Sequence, residues 1–201
     1  MPQETQYWVS SGLTLLAVLV ALLGPWIRYN VFRLRPKLHI AISDGRGELV
    51  PQQGGYFRRF YHILLTNKHR YSKVTNVKVF VLEIVEPDVS GKLYETWSGC
   101  VPLRWQNETG DPIPRVVGPE QIVDFCCVSE DSEIRSEHPI EFIISCPFYG
   151  KVTLKPDEMI VTLQARGDEV DSNILRVKIK SDGEWSDDAE EMKKHFEVCE
   201  M

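Results

Sequence analysis

Charge is missing from one end of this chain: between Glu4 and Arg28 there is no Asp, Glu, Lys or Arg, and no Lys or Arg precedes that gap. Cysteine motifs are missing as well. The five cysteines, Cys100, Cys126, Cys127, Cys146 and Cys199, form no CxxC pair, and their odd number leaves at least one unpaired within the chain. Their spacing argues against a zinc ribbon or a dithiol redox site, and they read as reduced, partly buried thiols. There is no GxSxG elbow, Walker loop or dinucleotide fingerprint, so acyl transfer, nucleotide hydrolysis and hydride transfer have no sequence support. The turn Ser43-Asp44-Gly45-Arg46-Gly47 lacks the Lys and following helix of a phosphate loop. His39, His62, His69, His138 and His195 stand in no HExxH or HxH context. The expectation is therefore no metal, no cofactor and no catalytic residue.

What is there begins with the uncharged segment. Trp8 to Ile27 gives about 20 residues without charge, the length a helix needs to cross ~30 Å of hydrocarbon. Leu16, Leu19 and Leu23 fill it, and Trp8 and Trp26 stand where interfacial rings belong. A cleavable leader fits poorly, because no basic residue precedes the run and bulky Leu19 occupies the position where a cut after Ala21 needs a small side chain. The basic residues Arg28, Arg33, Arg35 and Lys37 come directly after it, which predicts a single-pass inner-membrane protein with its N-terminus outside and its C-terminal domain cytoplasmic. Pro25 is expected to end or bend the helix, leaving 28–36 as a basic juxtamembrane linker on anionic lipid. Within the run, Ser10, Thr14, Ala17, Ala21 and Gly24 recur at helical spacing, a small-residue face suited to homo-oligomers formed through the membrane helix.

With those four cations and Glu4 set aside, the chain's net charge of −6 becomes about −9 for residues 38–201, which argues against nucleic acid as a partner. From Lys37 on, the apolar period switches to two. Runs at Leu38 to Ser43, Phe57 to Thr66, Val74 to Val85, Cys100 to Trp105, Ile122 to Val128, Ile140 to Ser145, Met159 to Ala165 and Leu175 to Ile179 are separated by turn residues, which predicts a mainly β, immunoglobulin-like antiparallel sandwich over 37–201. Val77, Val79 and Val81 on one face, with Phe80, Leu82 and Ile84 on the other, mark a central strand. A short terminal helix over 187–196 is expected from Asp187 as cap, Glu190 reaching back, and the stripe Ala189, Met192 and Phe196.

Tyr61 to Asn67 with Val74 to Val79, Pro102 to Trp105, and Gly183 to Asp188 leading into Met192 together resemble a set of bacterial proteins that carry an N-terminal membrane helix and an immunoglobulin-like domain. The first stretch is similar to the strand-turn-strand signature of adhesion-type sandwich modules, with Lys73 to Thr75 where a small residue is usual. The resemblance implies the fold and brings no activity with it. From the residues alone, an Asn at position 67 suits a strand end, where it tolerates left-handed geometry and its amide can tie down the next turn.

The function expected is a membrane-tethered cytoplasmic protein-interaction module without catalytic activity. Its partners would be membrane lipid and a protein engaged through the segment from Glu86 to Cys100, with Tyr94 and Trp97 as contacts. The alternative is a membrane-acting effector that oligomerises through its helix, for example in bacterial defence. A hydrolase would require the fold to gather His62, His138 or Cys127 with a carboxylate. Trp105 and Trp185 are expected in the core, and Cys126 and Cys127 are expected to face opposite sides of one strand.

Overall fold

The residues described in this computed structural model are 3–30, 36–52, 55–69, 72–88, 90–106, 113–130, 140–144 and 158–201, with side chains described from Leu13 to Ile27 in the first of these segments. Two units result, Met1–Pro36 and Lys37–Met201.

The first unit is helix α1, Gln3–Asn30, continuous for 28 residues. It runs through Pro25 to Asn30, where the sequence predicts an end or a bend. A proline costs the helix one N–H donor and leaves the turns beyond it free to continue. Its large apolar side chains are exposed from Leu13 to Ile27. Among the described residues no helix is long and apolar enough to cross a membrane. The expected spanning helix over 8–27 is thus not found among them. At 1.5 Å per residue, the described side chains from Leu13 to Ile27 cover only about 22 Å of axis, short of ~30 Å of hydrocarbon.

The second unit packs two antiparallel sheets into a sandwich. In the first, β1 (Leu38–Ile42) and β2 (Glu48–Pro51) lie along the same edge of β3 (Phe57–Asn67), followed by β7 (Glu120–Glu130) and β8 (Ile140–Ile144). In the second, the order is β11 (Phe196–Glu200), β10 (Asp171–Ser181), β9 (Glu158–Arg166), β4 (Val74–Pro87) and β5 (Leu93–Pro102), with the short β6 (Arg115–Val117) on β4. The strand alternation read from sequence matches this burial. Tyr61, Ile63 and Leu65 of β3 point into the core against Val77, Val79 and Val81 of β4, Val161 and Leu163 of β9, and Val177 and Ile179 of β10. Strand β4 is central as expected, but Ile84 faces the core rather than the outer side, because a bulge between Val81 and Glu83 shifts its register. Trp105 is buried in the core, with its indole N–H donated to the Ile113 carbonyl at 2.8 Å.

Four strands, β2, β5 up to Gly99, β6 and β11, are absent from the sequence reading. The stretch from Glu86 to Cys100, expected as a loop, is a hairpin whose second strand begins at Leu93. The terminal helix α2 spans Ala189–His195 and is capped by Asp188, not Asp187. The Asp188 carboxylate accepts from the N–H groups of Glu190 and Glu191 at 3.0 and 2.9 Å, while Asp187 accepts from the Trp185 indole at 2.9 Å. Phe196 ends the helix and starts β11, so one side chain serves the helix stripe and the core.

The free edge of β1 is closed by side chains. Asn173 accepts from the Ile40 N–H at 2.9 Å and donates to the Ile40 carbonyl at 3.1 Å, and Glu200 accepts from the Ile42 N–H at 2.8 Å. Groups that would otherwise template a foreign strand are thereby satisfied from within.

Between β1 and β2 the chain leaves the sheet as the turn Ser43 to Gly47, and Gly47 is required there. Its φ is +68°, and a Cβ would meet the Arg59 Cγ at 2.8 Å and the Tyr61 ring at 3.0 Å. Gly47→Ala is expected to lower unfolding free energy by roughly 2 kcal/mol, combining left-handed backbone strain with overpacking. A shift of the urea midpoint at unchanged slope measures it, and an unshifted midpoint would remove this account of the turn.

Candidate functional site

Strand β3 turns Tyr61 inward and therefore presents His62 on the outer face of the first sheet. The bulge between Tyr61 and His62 brings His62 opposite Asp124 of β7, and β2 supplies Glu48 from the other side. The His62 Nδ1 lies 3.1 Å from Asp124 Oδ1 and its Nε2 lies 3.4 Å from Glu48 Oε2, with the His62 side chain only 13% exposed. Neither approach has hydrogen-bond alignment, so these are contacts of charge. Burial opposes charging of the imidazole, and the carboxylates of Asp124 and then Glu48 outweigh it, holding the His62 pKa above its ordinary value. Phe60 stacks nearly parallel at 6.5 Å between centroids.

This geometry limits the chemistry. Carboxylates on opposite edges of one imidazole do not converge on a point, as ligands of one metal must, and no group of three metal-binding side chains occurs among the described residues. A general base needs a nitrogen lone pair turned toward a substrate, whereas both His62 nitrogens face carboxylates. Cys127 is buried and pairs across the strands with Phe60 rather than His62; His138 lies outside the described residues. The arrangement is suited to holding a proton.

The β4–β5 hairpin is the other candidate surface. Asp88 builds its turn, accepting from the Ser90 N–H and hydroxyl at 2.8 and 2.6 Å and from the Lys92 N–H at 3.0 Å. The hydroxyl of Ser90, then the N–H groups of Lys92 and Ser90, hold the Asp88 pKa below its ordinary value. Beyond the turn, Leu93 and Tyr94 are 45% and 48% exposed, on a strand that among the described residues pairs with β4 alone. Trp97 is half-buried, and its ring occupies the space where a Cβ on Gly99 would sit. Of the two expected partner contacts, Tyr94 is therefore accessible and Trp97 is largely part of the packing.

The other residues singled out from sequence fall apart in space. Trp185 packs against the core. Cys126 belongs to the core cluster and Cys127 does not, as strand alternation requires, and both are buried. Cys100, Cys126, Cys127 and Cys199 remain thiols, outside any disulfide, and Cys146 lies outside the described residues. Thr14, Ala17, Ala21 and Gly24 succeed one another along α1, with open space where a Cβ on Gly24 would stand. Trp8, Ser10 and Arg28 lie on the helix with side chains outside the described set, and Arg33 and Arg35 lie outside the described residues altogether.

Sequence reading missed the most deeply buried charge among the described residues. Arg59, 1% exposed, donates through Nη1 to the carbonyls of Arg46 and Gly47 at 3.1 and 3.4 Å, and through Nη2 to those of Asp187 and Ser186 at 2.7 and 3.5 Å. One guanidinium thus joins the turn before β2 to the segment that leads into α2. No signal in the pair Arg58-Arg59 tells which of the two is buried, beyond its falling in phase with Tyr61. No protein-family model matches the chain, and no curated protein matches it at a significant level.

Proposed function

We propose that this chain is a membrane-tethered binding domain without catalytic activity, anchored by α1 in the inner membrane with its sandwich in the cytoplasm, and that the β4–β5 hairpin meets a protein partner. The observation that carries the reading is α1 itself: a continuous helix, uncharged from Thr5 to Ile27, whose large apolar side chains are exposed along their whole described length. A helix apolar all round is stable in lipid or inside a large core. The uncharged residues Trp8 to Gly12, whose backbone continues the same helix, extend the described run to about 20 residues, or ~30 Å. The basic residues from Arg28 to Lys37 favour the cytoplasm for the sandwich on their C-terminal side.

Two antiparallel sheets, ordered β1-β3-β7-β8 and β11-β10-β9-β4-β5, support an immunoglobulin-like reading of the sandwich. Such frames carry recognition on exposed edges and turns, and among the described residues Leu93 and Tyr94 are large apolar side chains exposed beside the β4–β5 turn. Tethering raises the effective concentration of a weak partner, so a small contact suffices.

The test uses the full-length chain in native membranes. Wild type is expected to stay in the pellet through an alkaline carbonate wash, and Leu16→Arg with Leu19→Arg to be released, since each arginine at a helix centre opposes insertion by roughly 2.5–3.5 kcal/mol. After solubilisation, Tyr94→Arg is expected to lose co-purifying protein that wild type retains. Release of wild type by the wash overturns the anchor; an unchanged set of co-purifying proteins in Tyr94→Arg overturns the hairpin contact.

A further inference from the structure

We propose that His62 is a proton-operated catch that fastens the edge strand β2 to the first sheet. Strand β2 has four residues and, among the described residues, pairs with β3 alone, at the edge of the sheet. The side chain that reaches from it to the sheet is Glu48, at 3.4 Å from His62 Nε2. Protonated, the imidazole bridges Glu48 on β2 and Asp124 on β7; neutral, it leaves two carboxylates facing one ring with no positive charge between them.

The charged groups facing His62 among the described residues are Glu48 from β2 and Asp124 from β7. On its own strand the neighbour is the Phe60 ring, and from the turn after β1 the Ser43 N–H donates to the His62 carbonyl at 3.0 Å. On the far side of Asp124 runs the segment carrying Arg104, whose carbonyl accepts from the Asp124 N–H at 3.0 Å. The two carboxylates differ in their alternatives to His62. Asp124 is 19% exposed and fixed in a central strand, whereas Glu48 is 62% exposed at an edge and turns readily to water. Loss of the proton therefore releases the β2 side.

The sign comes from linkage. A histidine whose folded-state pKa is raised stabilises the folded arrangement fully below its unfolded value of 6.5, and that contribution fades as pH rises through the folded pKa. The catch is closed in acid and opens on the alkaline side of 6.5.

Hydrogen exchange of the full-length chain reads this directly, with rates divided by the intrinsic base-catalysed rate at each pH. Protection of the Glu48 and Val50 amides, whose parity along β2 turns them toward β3, is expected to fall about two- to fivefold as pH rises through the His62 titration, the scale of a partly exposed ion pair, while the β9 amides hold constant. Glu48→Gln removes the released carboxylate at an exposed position and should leave β2 at the lower protection at every pH, with His62→Gln behaving alike. A wild-type β2 whose protection does not change with pH overturns the proposal, and so does a Glu48→Gln chain that keeps the wild-type pH dependence.

Discussion

Arg59→Met is expected to lower the unfolding free energy by roughly 3–5 kcal/mol, read as a lower urea midpoint with the slope preserved. Methionine retains most of the aliphatic packing of the arginine stem, so the loss isolates the guanidinium. Two effects oppose each other. Removing a cation that is 1% exposed relieves its desolvation, which alone would stabilise the fold. Against this, the carbonyls of Arg46 and Asp187 lose charged donors at 3.1 and 2.7 Å, and those of Gly47 and Ser186 lose longer ones. Hydrogen bonds to a charged group contribute about 1.5–3 kcal/mol each, so two good ones outweigh the relief. The damage should also have an address: amide protection falls first at the turn Asp44 to Gly47 and at Asp187-Asp188, the two segments the guanidinium joins. Arg59→Lys is expected to recover little, because a single ammonium cannot reach carbonyls on both segments in the way a planar fork does. A variant as stable as wild type, with both segments equally protected, would show that the clamp contributes nothing net.

That clamp marks the boundary of what local pattern reveals. Strands whose residues alternate cleanly, such as β3 and β10, are legible because burial on a pleated sheet has period two and needs only neighbouring residues to show itself. Arg59 is recognised by carbonyls of Ser186 and Asp187, more than a hundred residues downstream, and no periodicity encodes those. Strand β5 was hidden for a different reason: register shifts against β4 break its alternation, and its polar Glu95, Thr96 and Ser98 imitate a loop. Strand β11 was hidden by overlap, since Phe196 completes the apolar stripe of α2 before it opens a strand. The His62 pairings obey the same rule. Its outward face is readable from Tyr61 and Ile63 beside it, whereas Glu48 and Asp124 are brought to it only by the pairing of three strands.

Asn67 is the position where reading and structure meet most closely, and Asn67→Ala is expected to lower stability by roughly 2–4 kcal/mol. The sequence suits Asn67 to a left-handed backbone and to a side-chain tie, and the structure shows the tie alone. Among the described non-glycine residues only Asn76 has positive φ, at 54°, where its amide and the Thr75 hydroxyl both donate to Asp168 at 2.7 Å. Asn67 ends β3 and is 3% exposed. Its Oδ1 accepts from the N–H groups of Lys37 and His69 at 3.3 and 3.1 Å, and its Nδ2 donates to the Ser72 carbonyl at 2.7 Å. One amide therefore satisfies the entry of the chain into β1 and both ends of the turn from β3 to β4. Truncation to alanine leaves the three main-chain groups in a site too enclosed for full hydration, and each unsatisfied group costs about 1–3 kcal/mol before relaxation. Asn67→Asp separates geometry from charge: it keeps the acceptor for Lys37 and His69 but turns a second oxygen toward the Ser72 carbonyl. It should therefore lose much of the same stability above its carboxyl pKa and regain part of it in acid, where a protonated oxygen can donate. An aspartate variant with no such recovery would mean that the Ser72 bond adds little and that the acceptor oxygen alone secures the junction.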